Sequence, residues 1–99
     1  MANLTLNIKK KWFDMILSGE KKEEYREIKK LYCNKFGVPD SEIKYDTITF
    51  LNGMKKLTPT IVIECVGIRK GNAVPEWSDN WQGEVFIIEL GNIISTKNI

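Results

Sequence analysis

The chain contains no histidine. That absence removes Ser-His-Asp and Cys-His nucleophile pairs, and every zinc site built on an imidazole. Cysteine is scarce: Cys33 and Cys65 are the only two, far apart and outside any Cys-x-x-Cys spacing. They make neither a disulfide framework nor a metal motif. They read as two reduced, buried thiols packing as small hydrophobes, with a functional pair as the alternative. No apolar run approaches the roughly 20 residues that a membrane helix needs. The opening Met1-Ala2-Asn3-Leu4-Thr5 lacks the basic and apolar regions of a secretory signal. A cytoplasmic protein is expected, with no membrane association, metal or cofactor. Any catalysis falls to Lys, Glu, Asp, Tyr, Ser or Thr.

What is present suits one domain over residues 1–99, with no room for a second. The hydrophobic share of 42% predicts a packed core rather than disorder. In a chain this short that core is modest. The net charge of +2 is unevenly spread. Residues 1–35 carry nine Lys/Arg against five Asp/Glu, and residues 36–99 carry six against eight. The N-terminal basic excess hints at an anionic partner. A solvated surface of mixed charge is the alternative.

Along the chain there is no repeat, low-complexity segment or linker. Leu4, Leu6 and Ile8 alternate with Thr5 and Asn7, which predicts a half-buried strand. Trp12, Phe13, Ile16 and Leu17 share one helical face, and Gly19 is a helix stop, so a short amphipathic helix ends at Ser18. From Glu20 to Tyr32 the Glu and Lys content favours helix, yet Lys22, Glu24 and Arg26 would share one face of a strand. Gly37-Val38-Pro39-Asp40 reads as a loop, with a short turn starting over Asp40-Ser41-Glu42. Strands are expected over Asp46–Leu51, Thr60–Val66 and Val85–Leu90, the last apolar enough to be central. Asn52-Gly53 is a hairpin signal, and Pro59 suits a strand start. Gly67 to Gly83 reads as loop, and Ile93-Ile94 as a short last pairing. Five or six mostly sequential strands with one or two short helices predict an α+β domain whose antiparallel or mixed sheet rolls into a small barrel.

The chemistry concentrates in Gly19-Glu20-Lys21-Lys22-Glu23-Glu24-Tyr25-Arg26. Charges packed so densely into a barrel strand need partners, because burying them unpaired is costly. Glu and Arg can pair with each other and still offer donors and acceptors to a ligand. A solvated charged face is the alternative.

The run from Leu6 to Arg26 resembles the opening of the activating-signal-cointegrator homology (ASCH) domain, part of the PUA-like superfamily. That family's hallmark is a helix followed by Gly-x-Lys-x-x-Glu-x-Arg, here Gly19, Lys21, Glu24 and Arg26. Lys9 falls where the family tends to carry a lysine. The likeness continues more weakly through Asp46–Gly53, Val66–Lys70 and Val85–Gly91. It implies a small PUA-like β-barrel with one to three flanking short helices. It also implies a strand near Lys21–Arg26 followed by a helix near Ile28–Phe36, overruling propensity.

The resemblance further implies a cleft beside the barrel that binds RNA, a nucleotide or a modified nucleoside. Lys9 and Lys21 would contact a phosphate or a base oxygen. Glu24 would accept from a base amino group or act as acid/base, and Arg26 would orient Glu24 or grip a phosphate. One branch of the family consists of amidohydrolases that deacetylate a modified cytidine. There a threonine nucleophile stands three residues after the motif lysine, which activates it. This chain keeps Lys21 but has Glu24 at that position. A nucleoside hydrolase would need Glu24-assisted attack by water, and a ribonuclease could use Lys21 and Glu24 as acid and base. Trp77 and Trp81 follow Arg69 and Lys70 in the expected long loop, where aromatics beside cations can stack bases. Tryptophans that pin the loop to the barrel are the other reading. A protein-interaction domain using Trp77 and Trp81 completes the set of functions.

Overall fold

Alternating Leu4, Leu6 and Ile8 form the buried side of strand β1, Asn3–Asn7, and its extension. Lys9 then takes an extended conformation and caps helix α1, Lys10–Leu17. Eight residues are too few for a helix to persist alone. This one is held by Trp12, Phe13 and Ile16, all buried, at about 1.5–3 kcal/mol of transfer free energy per side chain. The computed structural model describes residues 3–27, 45–53, 56–78 and 83–99. The helix expected over 28–36, the loop and turn expected over 37–42, Cys33 and Trp81 lie outside those residues.

Four more strands complete the described fold: β2 (Glu23–Arg26), β3 (Thr47–Leu51), β4 (Thr60–Asn72) and β5 (Glu84–Lys97). They form one sheet in the order β1-β3-β4-β5-β2. β1 runs parallel to β3, and the other three pairings are antiparallel. The short strand expected around Lys21–Arg26 is thus present, where local propensity alone favoured helix. Its backbone is matched residue for residue to Glu89–Phe86 of β5, and that long-range pairing outweighs a helix preference of a few tenths of a kcal/mol per residue.

Two readings are corrected. The stretch from Gly67 is not loop throughout, because β4 runs on to Asn72, pairing with β5 along its length. Gly67 and Gly71 sit in the strand, and the register slips at three places between Val62 and Gly67. Bulges of this kind bend a strand and increase its twist. Likewise, Ile93 and Ile94 are not a separate pairing but part of β5, which continues to Lys97. Asn52-Gly53 does follow β3, and β3 and β4 are antiparallel neighbours. Their connection spans residues 52–59 rather than a two-residue turn, and the Asn52 N–H donates to the Pro59 carbonyl at 3.1 Å.

Among the described residues the result is α+β: a curled five-stranded mixed sheet, an open half-barrel, with one helix on its concave side. Leu4, Leu6, Ile48, Phe50, Ile61, Ile63, Phe86 and Ile88 line that side against Trp12, Phe13 and Ile16. Register alternation sends Tyr25, Val85 and Ile87 to the opposite face. There they pack under Ala73, Val74 and Trp77, the last in the 3₁₀ turn Pro75–Trp77. β5 is covered on both faces between Val85 and Ile88, as its unbroken apolar run predicts. Among the described residues no helix is long and apolar enough to cross a membrane.

Candidate ligand cleft

The cleft begins with the way α1 ends. Ser18 donates its N–H to the Asp14 carbonyl, and Gly19 follows at φ +85°. That left-handed step is one only glycine takes cheaply. It turns the chain back so that the Lys21 N–H reaches the Met15 carbonyl at 3.0 Å. One of the helix's last carbonyls is thereby satisfied, and Lys21 is delivered beneath the helix.

The Lys21 side chain is enclosed, at 2% exposure. Its Nζ lies 4.5 Å from the centre of the Trp12 ring and 4.8 Å from that of Tyr25. It donates to the Trp77 carbonyl and sits 3.3 Å from Glu24 Oε1. The other Glu24 oxygen, Oε2, accepts from Arg26 Nη2 at 3.0 Å. The same Arg26 nitrogen reaches the Asn7 carbonyl at 2.9 Å. A relay of charge therefore runs from the 3₁₀ turn through Lys21, Glu24 and Arg26 to the end of β1. A buried ammonium is tolerated here because a carboxylate, a carbonyl and two ring faces replace its water.

Around this relay lies a cleft of about 640 Å³, lined by Lys9, Trp12, Tyr25, Asn52, Gly53 and Trp77 together with the three relay residues. The size falls in the range of small-molecule sites. Its rim is fixed by β1 and β3: the Ile8 N–H donates to the Leu51 carbonyl at 2.9 Å, and Asn52 Nδ2 donates to the Ile8 carbonyl at 3.1 Å. Lys9, exposed at the N-terminus of α1, stands on that rim.

Of the six residues singled out from the sequence, Lys9, Lys21, Glu24 and Arg26 meet in this cleft. Arg69 and Lys70 do not line it. Arg69 lies on the outer face, paired to Glu23 Oε2 at 3.1 Å and Glu89 Oε1 at 3.0 Å. Lys70 sits opposite Phe86, its Nζ 5.7 Å from the ring centre. Strand geometry explains the divergence, since β4 carries both residues where a loop was expected and successive side chains point to opposite faces. Trp77 is half-buried, so it both pins its turn to the sheet and walls the cleft.

Trp12 and Asn52 also line the cleft, although the sequence placed the first in the core and the second in a turn. Asn52 could have been found only from its position after β3, because its spacing to the motif is non-local. Tyr25 joins the cleft to the outer face. Its hydroxyl donates to Glu23 Oε1 at 2.6 Å and accepts from the Val74 N–H at 3.1 Å. Burial first, then the hydrogen bond to Glu23, pushes its pKa well above the ordinary tyrosine value. Cys65, half-buried in β4, is likewise raised by burial and stands outside the cleft. Among the described residues there is no cluster of three His, Cys, Asp or Glu side chains able to hold a metal ion.

No family model, curated protein or solved structure matches the chain.

Proposed function

We propose that this protein is an ASCH-like, PUA-like module that binds RNA, a nucleotide or a modified nucleoside in the cleft. The observation that carries this reading is convergence. Lys9, Lys21, Glu24 and Arg26 come from three different segments and border one cleft walled by Trp12, Tyr25 and Trp77. Three cations against one carboxylate, set among aromatic rings, suit a ligand that is anionic at one end and planar at the other. Trp77 offers a stacking face, and Glu24 offers acceptor lone pairs to a base amino group. Lys9 on the rim takes the phosphate, and Arg26 holds Glu24 in place. Lys21 serves by fixing Glu24 and the Trp77 turn, since its own ammonium is already surrounded. A cytoplasmic setting accords with such a ligand.

The hydrolytic reading draws on one feature, the 3.3 Å approach of Lys21 Nζ to Glu24 Oε1. A water held beside Glu24 could attack an amide carbonyl or a phosphodiester. Both Glu24 oxygens are already engaged by cations, so binding is placed first and turnover second.

Isotope-labelled protein titrated with a short single-stranded RNA, then with single nucleosides including acetylated cytidine, tests both. Amide shifts should cluster at Lys9, Lys21–Arg26, Asn52, Gly53 and Trp77, and should shrink steeply with added salt. The nucleoside signals report conversion in the same tube. Absence of any shift at low salt would sink the binding reading. Salt-insensitive binding of a protein would favour an interaction domain instead.

A further inference from the structure

Two smaller depressions border the cleft, and they differ in charge. One shares Trp77 with it, has a volume of about 400 Å³, and is lined by Glu23 and Glu89 against Lys22. The other shares Gly53, has a volume of about 330 Å³, and is lined by Lys56 and Lys97 with Thr58, Thr60 and Asn98. No acidic side chain is among its described lining residues. Its floor is held together. Thr60 Oγ1 donates to the Thr58 carbonyl at 2.9 Å, and Asn98 Nδ2 donates to the same carbonyl at 3.2 Å. Asn98 reaches it from φ +58°, a conformation asparagine tolerates. Lys97 closes β5 opposite Thr60, while Lys56 comes from the β3–β4 connection, so the two lysines approach from separate elements.

We propose that the cleft continues past Gly53 into a phosphate-binding subsite made by Lys56 and Lys97. The ligand is then a single-stranded oligonucleotide rather than a lone nucleoside or mononucleotide. This rests on the reading of the cleft as a nucleotide site, and it adds the ligand's length and direction. A polyanion leaving the cleft past Trp77 meets Glu23 and Glu89, each already paired with Arg69, whereas past Gly53 it meets two ammonium groups with no carboxylate among the described lining residues. Backbone phosphates exert a large, sequence-independent pull on such cations. The subsite supplies affinity and direction, and the cleft supplies base selection.

The test compares wild-type protein with the Lys56→Ala/Lys97→Ala double variant. Fluorescein-labelled RNA hexamers of random sequence are followed by anisotropy across a salt series, and the four nucleoside monophosphates by calorimetry. Both lysines are exposed, and far-ultraviolet circular dichroism checks that the variant is folded. The hexamers should bind wild type more tightly than any monophosphate. The double variant should lose on the order of tenfold in hexamer affinity at 0.1 M salt, with the salt slope reduced by about 0.7 per lysine. Its monophosphate binding should stay unchanged. Lys22→Ala, in the depression that shares Trp77, should leave the hexamer slope as it was. Unchanged hexamer binding in the double variant overturns the subsite, as does an equal loss in Lys22→Ala, which would reduce the effect to net charge. Monophosphates binding as tightly as hexamers also overturn it, while the cleft reading stands. If neither ligand binds wild type, the cleft reading fails and takes the subsite with it.

Discussion

Lys21 illustrates how a residue's role depends on what surrounds its charged end. In the sequence it is one of several lysines near a glycine. In the structure its ammonium lies between two aromatic rings, a carbonyl and a carboxylate, with almost no exposure. Such a group contributes by holding others in place, and removing its partner would leave a buried charge uncompensated. Tyr25 is held in a comparable way on the opposite face and has a consequence for pH. The folded protein keeps the Tyr25 proton to higher pH than the unfolded chain does, because burial and Glu23 disfavour the phenolate. Its contribution to stability is therefore fully present below the ordinary value near 10 and is lost as pH rises above it. Only the unfolded chain releases the proton in that window. Urea unfolding from pH 8 to pH 11 should show Tyr25→Phe losing less stability across the range than wild type. An identical decline in both would mean that other groups account for all of it.

Among the elements, the α1–β2 junction matters most for the cleft. The helix is short and its N-cap residue makes no side-chain capping bond, so its position depends on the buried face and on the glycine turn. A Cβ on Gly19 would meet only Lys22 Nζ at 3.8 Å, which is ordinary contact. The cost of Gly19→Ala is therefore conformational, from φ +85°, and comes to about 1 kcal/mol. Thermal melting should show a loss of about 4–8 °C for a domain of this size. Because the turn also delivers Lys21, the Trp12 fluorescence environment should change in the same variant. A melting temperature equal to wild type would show that the turn has an alternative geometry.

At the scale of the whole molecule, the half-barrel has two edge strands, β1 and β2, at opposite ends of its strand order. Arg26 links them, bonding to Glu24 in β2 and to the Asn7 carbonyl in β1 through one nitrogen. The main core beneath α1 needs neither contact. Arg26→Ala should therefore remain folded while losing about 2 kcal/mol, the scale of a hydrogen bond to a charged group. Amide hydrogen exchange should locate the loss, with faster exchange in β1 and β2 and unchanged protection in β3 and the adjoining part of β4. A uniform drop in protection would mean that Arg26 supports the domain globally. Unfolding of the variant would make its role purely structural.

Much of the fold could be read from local pattern. Alternation defined β1, one apolar face and a terminal glycine defined α1, and a continuous apolar run marked β5 as central, because side-chain periodicity reports burial directly. Spacing alone left Glu24 and Arg26 as a charged face; the resemblance of Gly19-x-Lys21-x-x-Glu24-x-Arg26 to a known motif is what singled out the three residues, which gather in the cleft. What local pattern could not decide was whether Glu23–Arg26 would be helix or strand, or that β4 would run through Gly67 to Asn72. Both depend on partners distant along the chain, 60–66 residues for Glu23–Arg26 and 12–22 for Gly67–Asn72, and hydrogen bonding to those partners overrides local preference. The sheet's curl is also a tertiary matter. It brings Asn52, Trp77 and Tyr25 around the motif and turns Arg69 to the outer face, since which residues share a cleft depends on register and strand bending rather than on spacing.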